Sequence, residues 1–282
     1  MSLQSTIFPM SADTLQTVLQ EMKMGIRPWD EESKYIIVKS MIKHIGTTND
    51  ELRDHLIYGT FYWLIENDYL EHALLVDLLD TCLNDLLFLG IGEKGTDSVF
   101  TRAFTTLLMA LILYKDNKDD FLTKSKVMEI KEKLILYINL EQDLRGYVSE
   151  KGWAHSVAHV ADTFNELIES PKVDQESYPD ILHALWSKVF ISDSVYVHGE
   201  DERLIVPIKE MLERGLDQKE IIALIQHIPV ELNIQKDQLD PEEYWFLVFN
   251  CKTFLKSLHI KINGIPQFVS LQKRIEACLT AM

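Results

Sequence analysis

The chain has only three cysteines in 282 residues, Cys82, Cys251 and Cys278, with no CxxC pair and no metal-type spacing. This excludes a disulfide-stapled scaffold and a zinc ribbon, and thiols placed in apolar helical patterns suit a reducing cytoplasm. Glycine (11) and proline (8) are scarce and scattered singly, so no flexible linker is visible and a single domain is expected over 1–282. Basic charge is in deficit: 28 Lys and Arg face 44 Asp and Glu, a net charge of −16. Nucleic acid and anionic membranes are thereby disfavoured. No apolar run reaches bilayer length, the longest lying around Phe104 to Tyr114 and interrupted by threonines. The opening MSLQSTIFPMSAD has neither a basic region nor an apolar one, and no secretion signal is expected.

What the chain does have is apolar periodicity near 3.6 residues, nearly end to end, with 46% hydrophobic residues to build a core. Helices are expected after Ser11 to Gly25, over 33–44, and over 48–66 with Thr48 and Glu51 as a capping box. Further helices are expected at 70–88, 98–115, 124–141, 152–170, 180–191, 201–214, 217–227, 240–258 and 266–281. Pro241 and Pro266 stand at first-turn positions and Gly215 just past an end. The fold class expected is all-α: residues 1–30 form an N-terminal helix and connection, and 31–282 form stacked antiparallel helical hairpins. A period of roughly 40 to 50 residues fits a HEAT- or armadillo-like α-α superhelix, with a closed α/α toroid or compact bundle as alternatives.

The richest polar segment is DLRGYVSEKGWAHSVAHVADTFNE, Asp143 to Glu166. On a continuous helix from Gly152, His155, His159, Asp162 and Glu166 fall within about 60° of one another, opposite Trp153, Val157, Val160, Ala161, Phe164, Leu167 and Ile168. His155 would stand in the first turn, where the helix dipole keeps imidazole neutral. His155, His159 and Asp162 are thus candidate ligands for a divalent metal such as zinc or iron, although the zinc-protease pattern is not met. The simpler reading is the solvated edge of an amphipathic helix with local ion pairs.

Further candidates for ligand contact are Arg145, suited to an anion, and Trp153. Downstream, His198, Glu200 and Arg203 lie in YVHGEDER, whose acids also suit a helix start. For Arg145 the competing reading is an internal contact with Asp143. His183 and Trp186 are expected as partly buried packing residues.

The run RGYVSEKGWAHSVAHVAD, with HGEDERL downstream and Phe100, Arg102 and Phe104 upstream, resembles the DUF2785 family, a domain of unknown function. Glycine is frequent in that pattern where this chain has Val160. The resemblance covers most of the chain after the first helix or two. It implies a mainly helical, cytoplasmic bacterial protein and carries over no catalytic residue.

Three functions are compatible with these residues. One is a binding module that offers a concave helical surface to a protein or peptide partner, a basic one given the charge. Another is a metal-dependent hydrolase or polar-ligand site on His155, His159 and Asp162, with Glu166 or Glu200 as base. A third is a carbohydrate-processing toroid using Asp162 with Asp201 or Glu200. Whether the chain is an enzyme, and its oligomeric state, are not written in the sequence.

Overall fold

The structure, a computed structural model, describes residues 8–282. The expectation of no secretion signal rests partly on residues 1–7, outside the described residues. Among those described, twelve α-helices and one two-stranded hairpin make the protein all-α. The described residues cluster into two compact units, the first ending at Ser170 and the second running Pro171–Met282.

The first unit opens with α1 (Ala12–Lys23), whose cap Ser11 accepts from the Thr14 amide at 3.3 Å, and α2 (Lys34–Lys43). A π-helical stretch Glu51–Tyr58 then runs directly into α3 (Gly59–Glu66). The Thr48 capping box is not what starts it. Asn49 Oδ1 accepts from the Leu52 amide at 3.0 Å and Asp50 Oδ1 from the Glu51 amide at 2.9 Å, because the helix begins a residue later than the Thr48–Glu51 spacing needs. α4 (His72–Thr81) likewise continues as a π turn, Cys82–Leu86.

α5 (Ser98–Asp119) is the core of this unit. By length and composition it could cross a membrane, which the threonine-broken run did not suggest, and 83% of its apolar window is buried inside the protein. The threonines do not interrupt it. Thr105 and Thr106 return their hydroxyls to the carbonyls of Thr101 and Ala103 at 2.6 and 2.7 Å, which satisfies them inside an apolar setting. α6 (Lys124–Leu140) and α7 (Ser156–Glu169) follow. The most extensive helix pairing joins α5 to α7, skipping α6. Phe104 meets His159, Thr163 bonds the Thr106 carbonyl, and Asn117 bonds the Glu166 carbonyl. Positions rise together along both helices, so they run in the same direction, unlike a hairpin of consecutive helices.

The second unit contains α8 (Tyr178–Trp186), α9 (Glu200–Glu213), α10 (Gln218–Gln235), α11 (Pro241–Ile262) and α12 (Val269–Ala281). α11 begins with Pro241 behind a complete capping box, Asp240 with Glu243. α10 passes through Pro229, where the sequence suggested an end at 227. Proline has no amide for the Ile225 carbonyl, and the Cys278 thiol of α12 supplies a donor there at 3.4 Å. Among the described residues no positive-φ break occurs in α10, and it keeps its full length.

Candidate functional site

The polar segment of interest does not start as a helix. Tyr147–Val148 (β1) and Gly152–Trp153 (β2) pair antiparallel, with Glu150 and Gly152 both at positive φ in the turn. The pairing continues through Ala154 and His155, whose amides bond the carbonyls of Gly146 and Arg145 at 2.8 and 3.0 Å. α7 therefore begins at Ser156, and His155 is its left-handed cap residue, φ 49° and ψ 38°. The four-residue helical stripe is reduced to His159, Asp162 and Glu166. Trp153 lies on the hairpin and not on the apolar face of α7.

Both histidines are buried, 9% and 7% exposed, and neither belongs to a solvated edge. They form part of an aromatic file. Tyr147 meets Trp153 edge-on at 5.1 Å, Trp153 stacks on His155 at 4.4 Å, His155 meets His159 edge-on at 5.7 Å, and His159 meets Phe104 edge-on at 5.1 Å. Arg53 closes the file, its guanidinium 4.4 Å from the Phe100 ring and 4.8 Å from that of Phe104, a cation–π arrangement in a dry setting. Arg53 is fully buried and donates to the carbonyls of Thr47 and Lys151, both at 2.7 Å, which ties the hairpin to the N-terminal helices. Its Nε stands 2.7 Å from Asp54 Oδ1 without the alignment of a hydrogen bond. Burial pulls the Arg53 guanidinium below its ordinary value and pushes the Asp54 carboxyl above its own.

Among the described residues no group of three or more His, Cys, Asp and Glu side chains is placed to hold a metal ion. Asp162 and Glu166 are half-buried, further along α7. Burial, reinforced by the neighbouring Glu169, raises the Glu166 carboxyl to about 7, against an opposing hydrogen bond from Asn117 and the charge of Lys118.

Arg145 is engaged internally. Its Nε and Nη2 grip the fully buried Asp143 carboxylate at 2.8 and 2.7 Å, and Nη2 also reaches the Thr96 carbonyl at 2.6 Å. Beside it, buried Arg102 holds Glu141 through two parallel bonds of 2.6 and 2.9 Å and caps the carbonyls of Leu89 and Gly90, each at 2.9 Å. Glu141 in turn accepts from the Asp143 amide at 2.9 Å. The two arginines thus pin the loops before α5 and after α6.

His198, Glu200 and Arg203 belong to the second unit, whereas the residues from Arg145 to Glu166 belong to the first. Glu200 is buried at the start of α9 and accepts from the His198 amide at 2.9 Å, while His198 Nδ1 lies 3.9 Å from its other oxygen. Asp201 accepts from Ser257 at 2.5 Å, and the Arg203 amide bonds the Gly199 carbonyl at 3.1 Å. His183 is exposed, not packed, and Trp186 is buried.

Two clefts escaped the sequence reading. One, of about 330 Å³ in the second unit, is lined by Trp186, Phe190, Leu224, Leu239 and Leu247, with Ser192, His227, Glu231 and Gln235. Leu224, His227, Glu231 and Gln235 recur along α10 at spacings of three and four, a stripe that a helix over 217–227 cuts short. The other, of about 500 Å³ in the first unit, lies beside α1, the first π stretch and α3. Neither contains a residue singled out from the sequence for ligand contact.

These features describe an all-helical protein whose signature-bearing arginines and histidines hold loops and helices together. Compared with models of known families, residues 87–260 match the one described as "Protein of unknown function (DUF2785)", and the chain belongs to that family. The match spans α5 to most of α11 and leaves out Arg53 and the first-unit cleft. No curated protein and no solved structure matches the chain.

Proposed function

We propose that the protein is a binding module whose second-unit cleft receives an apolar side chain of a basic peptide or protein segment. The observation that carries this is the lining of the cleft. Apolar and aromatic side chains line it together with Ser192, His227, Glu231 and Gln235, and its volume of about 330 Å³ lies within the range of ligand pockets. Trp186 is held edge-on against Phe254 at 5.4 Å, a rigid anchor of the kind that dominates binding energy. Val230 and Ile234 on α10, and Trp245 and Phe249 on α11, add exposed apolar surface to the helices that line it. The excess of acidic side chains favours a cationic partner and accelerates its encounter.

The test is a fluorescence-anisotropy titration with a labelled amphipathic peptide of alternating leucine and arginine turns. Saturable binding that weakens with salt and is lost in Leu224→Arg supports the reading. Binding of equal strength to the variant, or none to the wild type, overturns it.

A further inference from the structure

We infer that the first unit carries a separate ligand site, the cleft between α1, the π stretch and α3, which takes a planar aromatic anion: Trp63 packs against the ring and Lys23 pairs with the charge. Its lining includes Met22, Lys23, His55, Gly59, Thr60 and Trp63. His55, Gly59 and Trp63 recur every four residues and so share one side of the helical run. That run changes from π to α geometry at Gly59, and π segments within helices recur at functional sites.

Gly59 is the telling position. It has an ordinary helical φ of −61°, and a Cβ built on it would meet nothing within 4 Å. Glycine inside a helix is less stable than alanine there, and neither backbone conformation nor crowding requires it at this place. What its bare backbone does is leave the floor of the cleft open. Trp63 is fixed from one side by Tyr69, with ring centres 4.6 Å apart and planes at 30°, and remains 41% exposed where it lines the cleft. A ring held in place by one aromatic neighbour is prepared to stack on another.

The charge of the ligand follows from the lining. No acidic residue lines the cleft, in a chain with 44 acidic side chains against 28 basic ones. Lys23 has no ion-pair or hydrogen-bond partner among the described residues, so an incoming carboxylate does not compete with an internal one. His55 and Thr60 supply further donors beside it. A volume of about 500 Å³ accommodates two fused rings with an acid group.

The experiment uses the full chain labelled with 5-fluorotryptophan, whose five tryptophans give five fluorine signals; Trp63→Phe and Trp186→Phe assign the two that matter. The probe is 2-naphthoate, with the neutral 2-naphthamide beside it. The expected result is a saturable shift of the Trp63 signal by naphthoate, at least tenfold weaker binding of the amide, and loss of the shift in Gly59→Leu, shown folded by circular dichroism. Lys23→Gln is expected to bind acid and amide alike. An unmoved Trp63 signal, or an undiminished shift in folded Gly59→Leu, overturns the site. Movement at Trp186 alone also overturns it and assigns the probe to the second-unit cleft. The peptide reading fails separately, by the absence of saturable peptide binding in the anisotropy titration.

Discussion

Gly152 lies directly against Arg53: a Cβ at Gly152 would stand 2.9 Å from Arg53 Nη2 and 2.7 Å from the Cβ of Asp50. Its φ of +76° is also one that other residues adopt only under strain. The hairpin turn thus closes onto the buried guanidinium because there is no side chain in between. Gly152→Ala is expected to destabilise the protein by about 1–3 kcal/mol in urea unfolding. Gly59→Ala, where the helix is relaxed and the space is open, is expected to stabilise it by about 0.5–1 kcal/mol. Equal effects of the two substitutions would contradict this account of the glycines.

Arg102 and Glu141 are buried together, and removing one leaves the other charge without compensation. Arg102→Met is expected to cost about 3–5 kcal/mol. The double variant Arg102→Met/Glu141→Leu should recover a large part of that loss, since the uncompensated charge is gone. A double-mutant cycle by chemical denaturation checks both, and strictly additive losses would argue against the pair.

Glu166 makes stability depend on pH. Its folded-state value of about 7 lies above the ~4.3 of an unfolded glutamate, so the folded protein keeps a proton that the unfolded chain has already released. The resulting contribution is complete below pH ~4.3 and is lost as the pH rises through about 7. Glu166→Gln, neutral at every pH, should therefore match the wild type in Tm at pH 4, gain on it progressively between pH ~4.3 and about 7, and exceed it at pH 8. A gap that does not change between pH 4 and pH 8 would contradict the assignment.

The three thiols are inert by burial. Burial pushes Cys251 up to about 12 and raises Cys82 and Cys278 as well, so little thiolate exists at neutral pH. A chromogenic disulfide reagent should find no reactive thiol in the native protein and three after denaturation.

Helix positions were legible wherever a side chain announces them. Ser11, Thr123, Asp217 and Asp240 each cap a helix with their own oxygen. Two-residue strands leave no periodic signal, and His155 was read as helical because the left-handed turn before α7 is built by pairing with Arg145, not by local preference. The helix expected over 217–227 runs on through Pro229 for a related reason, because the compensation comes from Cys278, 49 positions later. The Asp143–Arg145 contact was readable from its spacing. The burial of His155 and His159 was not, since Trp153 and Phe104 reach them from the hairpin and from α5. The clefts arise where helices meet and follow from no single segment.

The proposed function places the partner in the second-unit cleft and leaves the histidines of the family segment to the fold. Histidine-ring NMR resolves this directly, since the chain has nine histidines and His227 lines the cleft. On titration with the leucine–arginine peptide, the His227 signals are predicted to shift in a saturable way while those of His155 and His159 stay in place. Shifts centred on His155 and His159, with His227 unmoved, would contradict it.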